Sequence, residues 1–201
     1  MRITLAAVNR SLLAAWRRWC GDLPGVEIRD GSILDLRVDA VVSPANSFGF
    51  MDGGLDLLYS RRFGPAVEDG LRRHIATRHR GELLVGQAEI VETGDLRIPR
   101  LICAPTMRVP GRLPAGSVNA YLAARAALRL ALGEALGSVA IPGLGTGVGG
   151  MEADACARQV ALAIEEMIWG EDPHFPTWQD ARDRHLWMAG GGDWPPEKGR
   201  A

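Results

Sequence analysis

Asn46 and Asp56, ten residues apart and separated by Gly49, Gly53 and Gly54, are residue types that can orient water and hold a hydroxyl or an anion beside an open backbone. The apolar run Val38 to Val42 reads as a buried parallel strand ended by Pro44, which places Asn46 at a strand exit. LDLLYSRRF then reads as a helix with Asp56 in its first turn. A second glycine loop, GLGTGVGGM, follows the apolar segment Val139 to Leu144 and precedes a helix over 152–169. Five glycines at 143, 145, 147, 149 and 150 let several backbone N–H groups converge on a phosphate at a helix N-terminus. Each feature has a plainer structural reading: Asp56 as a dipole-complementing acid with Asp52 as the N-cap, Asn46 as a turn residue, the glycines as packing.

Two phosphate-binding motifs are excluded by what surrounds the second loop. Met151 and Glu152 stand where a P-loop needs Lys-Ser/Thr. Gly145, Gly147 and Gly150 fit G-x-G-x-x-G, but no strand with a terminal acid follows the next helix. Composition narrows the rest: 201 residues, 47% hydrophobic and 23% charged, fit one soluble globular domain, and a net charge of −1 gives no global field for nucleic acid. Cys20, Cys103 and Cys156 are odd in number and set among apolar residues, as buried thiols in a reducing compartment are. The first apolar run is cut by Asn9 and Arg10, and no later one approaches a membrane span, so a cytoplasmic protein is expected. The four histidines show no metal spacing, so no metal and no cofactor are expected.

The elements that must position these residues alternate. Ile3 to Val8, Val26 to Ile33, Gln87 to Glu92 and Arg100 to Pro105 read as further strands. Arg10 to Cys20, Pro65 to Arg80 and an alanine-rich helix capped by Ser117 read as helices. Leu12, Ala15, Trp16 and Trp19 share one face, as do Tyr121, Ala124, Leu128 and Leu132, and Ala153, Cys156, Val160, Ala163 and Met167. Arg72, Arg73, Arg78, Arg80, His74 and His79 read as a solvated basic face. The pattern predicts an α/β sheet with helices on both faces over 1–170. Residues 171–201 read as a C-terminal extension that packs on the domain or is partly flexible, with a short helix over 178–188 and three tryptophans that suggest packing on the domain or on a partner.

Taken together, Gly31-Ser32-Ile33, VDAVVSPAN, GGLD and IPGLGTGVGG resemble the macrodomain family of ADP-ribose-binding modules, over roughly Ile28 to Trp169. The resemblance implies a three-layer α/β/α fold around a mixed, largely parallel sheet, and ADP-ribose or an ADP-ribosylated substrate as partner. It places Asn46 at the distal ribose and Asp56 at the acid that hydrolytic members use on water. Gly53 and Gly54 fall in the first loop, and Gly145, Thr146 and Gly147 in the pyrophosphate loop. Ser32, Ile33, Ser43, Ala45, Leu55, Gly143, Leu144, Val148 and Gly149 complete the implied binding set. The chain departs from the family pattern at four positions. Ser32 replaces the adenine-reading aspartate, so that either Asp30 takes over or adenine specificity is looser; Ser43 replaces an asparagine; Gly149 replaces an aromatic; Asp52 replaces a glycine. A hydrolase removing ADP-ribose or processing a derivative is the implied activity, with a non-catalytic ADP-ribose reader and an unrelated nucleotide-binding protein as alternatives.

Overall fold

The computed structural model describes residues 1–170 and 173–190. Its strands are β1 (Arg2–Ala7), β2 (Val26–Asp30), β3 (Ala40–Ser43), β4 (Glu89–Glu92), β5 (Arg100–Cys103) and β6 (Ser138–Ile141). They form one sheet in the order β2-β1-β6-β3-β5-β4, parallel throughout except where β4 runs against β5. The helices are α1 (Arg10–Cys20), α2 (Gly54–Phe63), α3 (Pro65–Arg78), α4 (Asn119–Gly133), α5 (Ala153–Trp169) and α6 (Trp178–Met188). Among the described residues no helix is long and apolar enough to cross a membrane.

Strand residues alternate between two cores, as a pleated sheet covered on both faces requires. Ile3, Leu5, Val42, Ile102, Val139 and Ile141 join Trp16, Leu128 and Val160 from α1, α4 and α5. Ala6, Val41, Leu101, Cys103 and Ala140 join Tyr59, Leu71 and Ile75 from α2 and α3. The result is the expected three-layer sandwich. All three cysteines are free and buried.

Several element boundaries differ from the sequence expectation, each for a local reason. The second strand stops at Asp30: Gly31 turns the chain at φ +146°, and the Ser32 hydroxyl accepts the Leu34 N–H to cap a short 3₁₀ turn, Ile33–Asp35. The last strand stops at Ile141 because Pro142 brings no ladder donor. Helix α3 ends at Arg78, and Arg80 and Gly81 follow with positive φ. Helix α4 starts at Asn119 with Val118 in the cap position, and Ser117 Oγ accepts the Asn119 N–H from one residue further out. Leu132 is exposed rather than on the core face of α4. The basic end of α3 is not wholly solvated either: His74, Arg78 and His79 converge on the buried Glu89 carboxylate of β4 at 3.3, 3.0 and 2.9 Å. These contacts, with a backbone N–H from Ile90, hold Glu89 below the usual carboxylate range despite the opposing effect of burial.

Candidate functional site

Four parallel strands, β1, β6, β3 and β5, release their chains at one edge of the sheet, and the segments that follow them surround a cavity of about 410 Å³. Pro44, Ala45, Asn46, Phe50, Asp52, Gly53, Gly54, Leu55, Asp56 and Leu58 supply one wall, from the segment after β3 and from α2. Residues 142, 143 and 145–149 supply another, after β6. Val8 and Asn9 after β1, Ser32 and Ile33 after β2, and Thr106, Met107 and Pro110 after β5 close the rim. Loops separated by almost a hundred residues thus meet because β6 inserts between β1 and β3.

The first loop is built on Asn46. Its Oδ1 accepts the N–H groups of Phe48 and Phe50 at 3.1 and 3.3 Å, and its Nδ2 donates to the Phe50 carbonyl at 2.8 Å. The buried side chain therefore sets the loop's course. Gly49, at φ +74°, lets that loop lie on α3, since a Cβ there would come within 2.9 Å of Ile75. Gly53 and Gly54 lead into α2 with open space where their Cβ atoms would be. No side chain caps this helix, and its first residues, Gly54, Leu55 and Asp56, line the cavity.

Asp56 sits in the first turn of α2, 8% exposed, and its Oδ1 accepts a 2.5 Å hydrogen bond from the Ser43 hydroxyl at the end of β3. Burial pushes its carboxyl up to about 6; the Ser43 hydroxyl opposes this by stabilising the ionised form, and repulsion from Glu68 and Asp52 adds to the rise. A carboxyl poised there exchanges protons readily near neutral pH. Below it, the Tyr59 hydroxyl donates to the Val42 carbonyl at 3.0 Å and ties α2 to β3.

The second loop is shaped by its own backbone. Gly150 N–H donates to Gly147 O and Met151 N–H to Gly145 O, at 3.0 and 2.9 Å, with Gly145 and Gly150 at φ +71° and +64°. The N–H groups of Gly145, Thr146, Gly147 and Val148 have no protein acceptor among the described residues. A run of free donors bordering a cavity is an anion cradle. It faces no competition from bases, because no Arg, Lys or His lines the cavity among the described residues.

Of the residues singled out from sequence, Ser32, Ile33, Ala45, Asn46, Gly53, Gly54, Leu55, Asp56, Gly143, Gly145, Thr146, Gly147, Val148 and Gly149 line the cavity. Ser43 and Leu144 do not: Ser43 lies behind Asp56, and Leu144 is buried in the core with its N–H on Cys156 Sγ at 3.3 Å. Asp30 is not in the lining, whereas Asp52 is. Sequence reading missed Val8, Asn9, Phe50, Leu58, Met107 and Pro110 on the lining. It also missed Leu113, whose N–H donates to Gly149 O at 2.9 Å and whose side chain backs Gly145 and Gly149. The signal for Phe50 was its place inside the first loop; the segment after β5 carried none, because nothing local says that β5 lies beside β3.

Comparison with known proteins agrees with this geometry. Residues 42–160 match the Macro domain family. An uncharacterized protein of Aeropyrum pernix is 40% identical over 146 residues, 72% of each chain. A protein of Salmonella gallinarum named O-acetyl-ADP-ribose deacetylase is 30% identical over 71% of this chain and 79% of its own. The macrodomain of Mycobacterium tuberculosis DarG superposes with a TM-score of 0.59 at 26% identity, covering 68% of this chain and 87% of that one. With a parallel sheet that brings two glycine loops to one cavity and a sequence match spanning both loops, the chain belongs to the Macro domain family.

Proposed function

We propose that this protein binds ADP-ribose across the carboxyl ends of β1, β6 and β3 and hydrolyses a bond at the anomeric carbon of the distal ribose or an ester borne by that sugar. The observation that carries the reading is the buried Asp56 carboxyl in the same cavity wall as the α2 N-terminus, facing a lining shared with the second loop's free N–H groups. The pyrophosphate rests on the N–H groups of Gly145 to Val148 and on the start of α2, two donor sets that need no basic side chain. Asp56 acts as general base. Ser43 occupies Oδ1 and fixes the carboxylate, while the other oxygen takes a proton from water as the water oxygen attacks and the departing group leaves with the bonding electron pair. Asn46 contributes by holding the loop from Asn46 to Phe50 in place. The deacetylase name of the Salmonella relative supports an ADP-ribose derivative as substrate.

Calorimetric titration with ADP-ribose, followed by hydrolysis assays on ADP-ribosylated and O-acetylated substrates, tests this. Saturable binding together with a loss of about 10²–10⁴ in turnover for Asp56→Ala is expected. Binding without turnover by the unaltered protein identifies a reader, and no binding at millimolar ADP-ribose removes the reading altogether.

A further inference from the structure

The cavity's chemistry is lopsided. Among the described residues its two charged lining residues, Asp52 and Asp56, are both carboxylates, and both belong to the wall that follows β3. That wall also presents Phe50, 41% exposed, with Met107 and Pro110 beside it after β5. Strand order fixes where this corner lies relative to the rest. Along the sheet edge, Ser32 follows β2, Val8 follows β1, the anion cradle follows β6, and Asp52, Asp56 and Phe50 follow β3. A diphosphate on the central cradle therefore has Ser32 to one side and Asp56, Phe50 and Asp52 to the other.

We infer that the Phe50–Asp52 corner is a specificity subsite for a planar, delocalised cation attached to the anomeric carbon of the bound ADP-ribose. The inference rests on the ADP-ribose reading above and names the class of group that the sugar carries. Three observations bear on it. Phe50 is preorganised: its backbone N–H and C=O are both bonded to the Asn46 side chain, and the Arg72 guanidinium, 4.7 Å from its ring centroid, holds one part of a ring that stays partly exposed. Among the described residues the lining itself carries two carboxylates and no base, Arg72 reaching Phe50 from outside the lining, and a diphosphate, itself anionic, adds no positive charge to offset them. The apolar sides of Met107 and Pro110 favour a weakly hydrated flat group over a compact ammonium, which is costlier to desolvate. Guanidinium and pyridinium groups both fit this description.

Dissociation constants for ADP-ribose, ADP-ribosyl-guanidine, NAD+ and NADH, read by competition before turnover, test the subsite. NADH controls for ring shape without charge. The expected result is that a cationic ligand binds about five- to tenfold more tightly than its uncharged counterpart. Preference for ADP-ribosyl-guanidine over ADP-ribose alone identifies a guanidinium, preference for NAD+ over NADH alone a pyridinium, and both together a subsite open to any planar cation. Asp52→Asn is expected to move the ligands in opposite directions, tightening ADP-ribose and loosening the cationic conjugate, a crossover that a merely structural defect does not produce. Phe50→Leu, which keeps apolar bulk without the ring's negative face, is expected to lower the preference about threefold. ADP-ribose binding with no preference for either cation, or a preference unchanged in Asp52→Asn, overturns the subsite alone. Failure of all four ligands to bind overturns this inference and the ADP-ribose reading together.

Discussion

Asp56 is a residue whose burial works against the fold. Its proton is held more tightly in the folded protein, where the carboxyl titrates near about 6, than in the unfolded chain, whose ordinary value is 3.8. Folding is therefore helped by this group at low pH, and that help is lost as pH rises from about 4 through about 6 and stays lost above. Asparagine keeps the shape and the Ser43 hydrogen bond without the charge. Asp56→Asn is expected to be more stable than the natural protein by up to about 3 kcal/mol at pH 7.5 and nearly equal to it at pH 4, read from urea midpoints. Stabilisation at neutral pH combined with lost turnover marks a carboxylate kept for chemistry. Asn46 was readable from sequence as a strand-exit residue, but its hydrogen bonds to Phe48 and Phe50 were not, because they depend on how the loop folds back.

At the scale of elements, the second loop's glycines divide into two kinds that look alike in sequence. Gly143 and Gly145 exist for packing: a Cβ at Gly143 would come within 2.6 Å of Leu12 Cδ2, and Gly145 has φ +71° with Leu113 Cδ1 2.8 Å from its Cβ position. Gly147 has neither a positive φ nor any atom within 4 Å of its Cβ position. Gly145→Ala is expected to cost about 1–3 kcal/mol in thermal or urea denaturation. Gly147→Val is expected to fold with near-natural stability and lose at least about tenfold in ADP-ribose affinity by calorimetry, since it adds methyls to a lining position whose Cβ space is open. The reverse pattern would place the ligand elsewhere. Helix and strand identities were legible from apolar spacing in this region; the ends moved where Pro142 and Gly31 cut ladders short, which are local facts that the apolar count alone does not weigh.

For the whole molecule, α6 is the element that sequence left undecided between packing and freedom. Arg184 pairs with the buried Glu166 of α5, which also accepts the Tyr121 hydroxyl at 2.7 Å and lies 3.1 Å from Arg125 of α4. Trp187 meets Trp19 of α1 edge to face with centroids 5.8 Å apart, and Arg158 sits over both rings. Trp178 is exposed, and Trp194 lies outside the described residues. Removing Arg184 strips one cation from a carboxylate that water cannot reach, so Arg184→Ala is expected to lower stability by about 1–3 kcal/mol, measured by urea denaturation with ADP-ribose affinity as the control that stays constant. Sequence by itself determined the α/β class, the buried strands and the two glycine loops, because apolar periodicity, proline stops and glycine runs are local properties of the chain. Tertiary structure alone decided that β6 lies between β1 and β3, that Thr106, Met107 and Pro110 share the cavity with Asp56, and that Ser43 and Leu144 stand outside its lining. Those outcomes follow from strand order and burial, which are settled by contacts between segments far apart in the chain.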